Sequence, residues 1–483
     1  MTDRPANGNR LARLLAAVAL AVAALFLAVS PASATQEEYD QAYAIGVDAY
    51  KYGLPLVTMD KTYRNQSSIN VPNGRGFGPV NRFNPVREFA KPDDKSVVAP
   101  NYDTLYNIAW INVARQPMIV HVPKIKNRYF VIPLMDPYTE DFRNLGSVNK
   151  TRPGDYAIVG PKDYRTKLPK GVTRIKSKYN RVWSIQRIYA EPGNKKDVAA
   201  VNKMQDATTI TPLDKYGKKN WKPKPPKKKD RTVNDIAMPT GLDYFNVLGR
   251  EMKKFPPPAA DAAELAKFAP YGIGPGLKPS EAGLSADALA GLTAAVADGP
   301  AKVNADLTTL YVKGFNAHNG WLAMETGTYG TDYDFRAVVT QVGLGALLPN
   351  EAIYPLTQTD RKLSPLVGSK SYTMHIPKGE LPPARAFWSL TLYDSNGFFV
   401  QNSIKRYTIN NKTKLHYNED GSLDFYIQST KPSDPNQVKN WIPSPTDGSR
   451  FRLMWRIYDA TPSDIPGIID GTGWQGPTVT AVP

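Results

Sequence analysis

"FRLMWRIYD" (451–459) decides the fold class of this chain. Phe451, Leu453, Trp455 and Ile457 fall on one side of an extended backbone, and Arg452, Met454, Arg456 and Tyr458 on the other. Successive side chains of a strand point to opposite faces, so a period of two marks an antiparallel strand with one buried and one polar face. "FWSLTLYD" (387–394) repeats the pattern, with Trp388, Leu390 and Leu392 opposed to Ser389, Thr391 and Tyr393. "SLDFYIQ" (422–428) sets Leu423, Phe425 and Ile427 against Asp424, Tyr426 and Gln428. Strands of this kind, punctuated by Gly, Pro and Asn, predict a jelly-roll-like sandwich over 351–483.

Earlier in the chain, 69–190 carries short β runs such as "LYNIAWINV", "MIVHVP", "YFVIPLMD", "DYAIVGP" and "VWSIQRIYA". Their spacing predicts an N-terminal β domain over 35–195, opened by a helix on which Tyr43, Ile45, Tyr50 and Leu54 share a face. Between the β regions, "KKNWKPKPPKKKDR" (218–231) holds eight Lys or Arg and three Pro. Charge repulsion and proline make it an extended spacer or anion-binding tether within a basic linker, 196–240. Helix patterns fill 241–350; "SADALAGLTAAVADG" offers a Ser cap and a terminal Gly. The expected fold is therefore mainly β with a helical middle (α+β): two antiparallel β-sandwich or jelly-roll-like domains joined by a helical segment. "VHVPK" before "LMD" and "MHIPK" before "LYD" read as one duplicated hairpin, the second with a longer loop.

Residues 1–34 read as a signal peptide. Arg4, Arg10 and Arg13 precede the apolar run 14–29, and Ala32-Ser33-Ala34 fits a cleavage site after Ala34. Sixteen apolar residues fall short of the roughly 20 that span a membrane. The expectation is a secreted, periplasmic or envelope protein with no transmembrane segment after cleavage. The chain has no cysteine, which excludes disulfides, thiolate catalysis and thiolate metal sites. The net charge is +17, or +15 without the leader, and favours anionic partners such as acidic glycans. Export disfavours nucleic acid among them.

Chemical motifs are sparse. Gly471, Gly473 and Gly476 match G-x-G-x-x-G, but Pro477 and the chain end leave no helix to receive a pyrophosphate, so no dinucleotide site is expected. His121, His318, His375 and His416 lack metal-ligand spacing, so no metal and no cofactor are expected. The acids beside aromatic residues remain. In "APNYDTLYNIAW" (99–110), Asp103 and its neighbour Asn101 form either a working site or a polar corner. Asp103 and Asp136 are candidate acid and base for a hydrolase, provided that the fold brings them together. Asn101, Tyr106, Tyr138, Tyr333 and Arg336 are candidate ligand contacts, although Asp332 and Arg336 also suit a helix cap and its i+4 partner. Tyr393, Asp424, Tyr426, Gln428, Arg452, Arg456 and Tyr458 combine planar rings with polar groups, the mixture that binds sugars or lines an ordinary wet sheet face.

"APNYDTLYNIAWINV", "RYFVIPLMDPYTEDF" and "GDYAIVGP" resemble the N-terminal half of a bacterial family known as domain of unknown function 1254. "GTDYDFRA", "GLGALLPNEAIYP", "LPPARAFWSLTLYD", "NSIKRYTI", "DGSLDFYIQ" and "NWIPSP" resemble its usual partner, domain of unknown function 1214. The resemblance implies an exported or envelope β-rich protein with a helical middle and assigns no reaction. The lysine–proline stretch, and Tyr102 between Asn101 and Asp103, depart from the family pattern. Three functions stay open: binding or processing of envelope glycans or other anionic polymers, carboxylate-based hydrolysis, and a structural homo-oligomer.

Overall fold

The computed structural model describes residues 31–95, 98–219, 221–224, 227–315 and 319–482. The apolar leader run and His318 lie outside the described residues. Among the described residues the structure is mainly β, with four sheets and a helical middle. The chain divides into two compact units. One comprises the described residues up to Lys51 with Pro239–Lys253 and Pro257–Pro300. The other comprises Tyr52–Met238, Lys254–Pro256 and the chain from Ala301 onward.

The first unit is helical. It contains the start of α1 (Pro31–Gln66), and later most of α3 (Leu242–Lys254) and the first half of α5 (Ala286–Phe315), with α2 (Lys195–Ala207) lying in the other unit. Ser285 caps α5 as the sequence predicts, its Oγ accepting from Ala288 N at 3.1 Å. Gly299 does not end that helix. A Cβ there would lie 2.4 Å from the Tyr50 ring, so this glycine serves close packing of the Tyr50 side chain.

The second unit holds both β domains. In the N-terminal one, the strands are β1 (Asn84–Pro85), β2 (Thr104–Asn112), β3 (Met118–Val122), β4 (Phe130–Met135), β5 (Asp141–Gly146), β6 (Gly154–Val159), β7 (Thr173–Lys176), β8 (Arg181–Tyr189) and β9 (Thr209–Pro212). They form two sheets, ordered β1-β2-β8-β4-β5 and β7-β6-β3-β9. Leu105, Ile111, Val120, Ile132, Leu134, Ile158, Val182 and Ile188 join the sheets in one core.

The C-terminal domain has β10 (Ala352–Ile353), β11 (Leu356–Thr357), β12 (Tyr372–Ile376), β13 (Ala384–Asp394), β14 (Thr408–Asn410), β15 (Leu423–Gln428), β16 (Trp441–Pro443), β17 (Phe451–Ala460) and β18 (Thr480–Ala481). Its sheets run β10-β17-β13-β14, with β11 also on β17, and β16-β15-β12-β18. Trp388, Leu390, Leu392, Leu453 and Trp455 pack against Met374, Phe425 and Ile427 in its core. The apolar faces predicted from the alternation are the faces that meet.

The two domains are one topology used twice. Every strand from β3 to β9 has a counterpart from β12 to β18, in the same order and sense. Among the described residues each domain has one parallel pair, β6 with β7 and β15 with β16. Register agrees as well: Val131 lies opposite Arg187 and Ser389 opposite Arg456. Thr104 lies opposite Tyr189, and Ala352 opposite Tyr458. His121 faces Asp155 across strands at 2.8 Å, and His375 faces Asp424 at 2.7 Å. The histidine echo in the sequence is thus real, but it is not a hairpin. β3 and β4 sit in different sheets, as do β12 and β13, so each connection crosses the sandwich.

Candidate functional site

Asp103 precedes β2 and is fully buried, in contact with the other domain. Ser389 Oγ donates to its Oδ2 at 2.6 Å and Asn410 Nδ2 to its Oδ1 at 3.0 Å. Burial pushes its pKa up, while the Ser389 bond, the Arg456 charge and the Asn410 bond pull it back. Asn101 turns the chain into β2. Its Oδ1 accepts from Asp103 N at 2.7 Å and Thr104 N at 3.1 Å, and its Nδ2 donates to Tyr458 OH at 2.5 Å. Arg456 donates to Ala99 O at 3.0 Å and Tyr393 OH at 2.6 Å, and Tyr393 OH donates to Pro100 O at 2.7 Å. Asn101, Asp103, Tyr393, Arg456 and Tyr458 therefore come together as a buried knot between the domains.

The duplication explains this knot, because it occurs twice. Glu351 precedes β10 as Asp103 precedes β2, and each backbone carbonyl accepts from the residue after the tyrosine opposite the next position, Tyr458 and Tyr189. Ala190 N donates to Asp103 O at 2.9 Å, and Asp459 N to Glu351 O at 3.1 Å. Glu351 reaches into the N-terminal domain, accepting from Tyr129 OH at 3.1 Å and Asn149 Nδ2 at 2.8 Å. Arg187, the counterpart of Arg456, donates to Gly345 O at 2.6 Å and Tyr354 OH at 3.1 Å. Tyr106 lies beside it, its ring centroid 5.6 Å from the Arg187 guanidinium. Each domain thus offers the other one acid and one arginine. Burial pushes Glu351 up to about 8 and Asp141 up to about 7.

Asp136 is not brought to Asp103. Ala190, bonded to Asp103 just past the end of β8, and Trp183, opposite Met135, are seven residues apart, a separation of about 23 Å along the strand direction. Glycosidase carboxylates stand roughly 5–9.5 Å apart. Asp136 instead closes a turn, its Oδ1 accepting from Tyr138 N at 2.8 Å and Glu140 N at 3.2 Å. Its counterpart Asp394 does the same with Asn396 N at 2.9 Å and Phe398 N at 2.8 Å. Burial pushes Asp136 up to about 7.

Tyr138, Tyr333 and Arg336 do converge. The Arg336 guanidinium lies 5.6 Å from the Tyr138 ring centroid and 5.3 Å from that of Tyr333. Asp332 caps α6 (Tyr333–Gly343), following α4 (Ala262–Phe268) and α5 in the chain, by accepting from Phe335 N at 3.0 Å. Arg336 does not take the i+4 ion pair with Asp332. Its carboxylate neighbour is Glu140, 4.0 Å away.

The sugar-like set on the C-terminal strands splits in two. Tyr393, Arg452, Arg456 and Tyr458 belong to one sheet, and Asp424, Tyr426 and Gln428 to the other. Because the apolar faces of these sheets meet, the two polar sets point in opposite directions. Asp424 bonds His375 and also accepts from Asn418 Nδ2 at 2.8 Å, while Gln428 Nε2 donates to Thr430 O at 2.7 Å.

A cavity of about 280 Å³ lies elsewhere, at the far end of β2 and β8. Tyr63, Val80, Trp110, Ile111, Asn112, Ala114, Asn180, Arg181, Lys254 and Phe255 line it. The Arg181 guanidinium is sandwiched between rings, 4.0 Å from the Tyr63 centroid and 4.8 Å from that of Phe255. Asp60 lies 3.7 Å from Arg181 and orients it. Trp110 is held by its Nε1 bond to Gln66 Oε1 at 2.8 Å and by stacking on Trp183 at 5.4 Å. Apolar ring walls, two amides and two cations suit an acidic sugar: the walls cover C–H faces, and guanidinium binds carboxylate in its plane. None of the candidate residues read from the sequence lines this cavity. Its walls come from five separate stretches, and Trp110 inside the "APNYDTLYNIAW" stretch is the one signal that the sequence offers.

These features define a tandem β-sandwich protein with reciprocal interdomain knots and an aromatic, cationic cavity. Residues 80–212 match the family described as "Protein of unknown function (DUF1254)", and residues 351–462 that described as "Protein of unknown function (DUF1214)". The two matches fall in the N- and C-terminal β regions, as the resemblance in the sequence implies. The VPA0106 protein from Vibrio parahaemolyticus is 22% identical, with a TM-score of 0.64 over 92% of this chain and 100% of that one, and shares the fold. An uncharacterized protein from Burkholderia cenocepacia is 12% identical, with a TM-score of 0.40 over 93% of this chain and 96% of that one. No curated protein matches the sequence. Among the described residues, no helix is long and apolar enough to cross a membrane.

Proposed function

We propose that this protein binds acidic glycans outside the cytoplasm, as an exported or envelope protein. The observation that carries the reading is the cavity, where Arg181 is held between Tyr63 and Phe255 beside Trp110, Asn112 and Lys254. Its volume of about 280 Å³ lies just below the range of drug-sized ligand sites, roughly 300–1,000 Å³, and suits about one or two sugar rings. The leader pattern and the +15 charge of the remaining chain support the location and the sign of the ligand. A hydrolase built on Asp103 and Asp136 lacks support, since those acids stand at opposite ends of β8. Calorimetric titration with a galacturonate disaccharide and its neutral galactose counterpart tests the reading. The acidic sugar should bind, the neutral one at least about tenfold more weakly, the equivalent of one lost charge-assisted bond. Equal binding of the two, or none of either, would overturn it.

A further inference from the structure

The sequence reads the basic stretch 218–231 as either a spacer or a tether, and the hydrogen bonds at the end of it, around 227–231, bear on the choice. Three attachments hold its C-terminal flank along the end of α1. Asn65 Oδ1 accepts from Ile236 N at 2.8 Å, and Ser68 Oγ from Asn234 N at 3.2 Å. Asn70 makes the third: its Oδ1 accepts from Asp230 N at 2.8 Å and its Nδ2 donates to Lys228 O at 2.9 Å. A solvated spacer has no need of four side-chain bonds to its backbone. These bonds fix where Lys227, Lys228, Lys229 and Arg231 lie, and all four side chains are exposed.

The same end of α1 builds the cavity. Tyr63 lines it, and Gln66 fixes Trp110. Tyr63 and Asn70 are seven residues apart, so even a fully extended chain sets them no more than about 25 Å apart. Arg181 and Lys254 in the cavity and Lys227, Lys228, Lys229 and Arg231 of the strap are thus linked through this short stretch, six cations against Asp60 and Asp230. Fixed cations in a row present a linear polyanion with several contacts at once, and linking contacts raises avidity by about 10²–10⁴ without changing any one of them.

We infer that the cavity and the strap 227–231 form one track for a linear acidic polysaccharide, with one end sugar in the cavity and the following acids over the lysines. This rests on the acidic-glycan reading of the cavity above. Rings in the cavity favour a sugar over a bare polyphosphate chain, so inorganic polyphosphate serves as the comparison polyanion.

The test compares the full chain with a Lys227→Gln, Lys228→Gln, Lys229→Gln triple variant and with Ala114→Trp, which fills the exposed lip of the cavity. Each is titrated with a galacturonate disaccharide, long polygalacturonate and polyphosphate at several salt concentrations. The wild type should bind the long chain at least about tenfold tighter than the disaccharide. The triple variant should lose that gain and keep the disaccharide affinity. Its salt dependence should become shallower by about two in the log–log slope, as three phosphate-like contacts are worth about 0.7–0.9 each. A triple variant that binds polygalacturonate as tightly as the wild type overturns the track. If disaccharide binding still responds to Ala114→Trp in that case, the cavity reading survives alone. If the disaccharide fails to bind, polyphosphate matches polygalacturonate and Ala114→Trp changes nothing, the cavity reading has failed and the track with it.

Discussion

Replacing Asp103 with alanine should cost this protein about 3–5 kcal/mol of stability, the range for breaking a buried polar cluster from one side. The figure follows from what the carboxylate leaves behind. Ser389 Oγ and Asn410 Nδ2 lose their acceptor in a site closed to water. Each buried unpartnered group costs about 1–3 kcal/mol. Arg456 loses its neighbouring acid but keeps Ala99 O, Tyr393 OH and Thr391 Oγ1, so its share is smaller. Ser389→Ala alone removes one bond and should cost about 1–2 kcal/mol. The pair is coupled, so the double variant should fall short of the sum by at least about 1 kcal/mol. Urea unfolding followed by tryptophan fluorescence measures all three, with Trp388 and Trp455 reporting on the C-terminal core. A loss below about 1 kcal/mol for Asp103→Ala, or additivity within about 0.5 kcal/mol, would refute the knot. Loss of sugar binding with stability intact would instead make Asp103 a ligand contact.

Other outcomes follow from the same geometry. Thermal stability should fall as pH rises from about 5 to about 8.5, because Asp136, Asp141 and Glu351 are raised to about 7, 7 and 8 in the folded protein. Between the unfolded value near 4 and these folded values the native state holds more protons, so stability is full at the acid end and is lost through pH 7–8. Glu351→Gln cannot ionise and should flatten the upper part of that decline; a profile parallel to the wild type would contradict the assignment. Asp136→Ala and Asp394→Ala should each cost about 1 kcal/mol, typical of a lost cap, and should leave disaccharide affinity unchanged. Unequal costs, or a binding defect in Asp136→Ala alone, would argue that Asp136 does more than close its turn. Ala114→Trp should abolish disaccharide binding with little change in melting temperature, since this lip residue is exposed.

How far the sequence could be read depended on what each strand faces. β13, β15 and β17 were legible because their inner faces alternate cleanly against one core. The outer faces of β13 and β17 misled, since Ser389, Thr391 and Arg456 look like a wet surface and are in fact buried against the N-terminal domain. β10, β11, β14 and β18 have only two or three residues, too few for any period. The duplication left two marks in the sequence, the paired histidines and the repeated "RIY" at 187–189 and 456–458, and the second carries the arginines of both knots. Asp103 stood out as a polar residue beside a strand, but only tertiary packing separates a knot from a site. The cavity was illegible for a different reason. Tyr63, Trp110, Arg181 and Phe255 meet through folding alone, and no spacing in the chain joins them.

The central claim, that the cavity at the end of β2 and β8 takes an acidic sugar, is tested most directly by a crystal structure of the protein soaked with a galacturonate disaccharide. A sugar ring should lie against Trp110 and Phe255, with its carboxylate within hydrogen-bond distance of Arg181. A ring bound instead at the interdomain knot, or on the strand face carrying Tyr426, would contradict it.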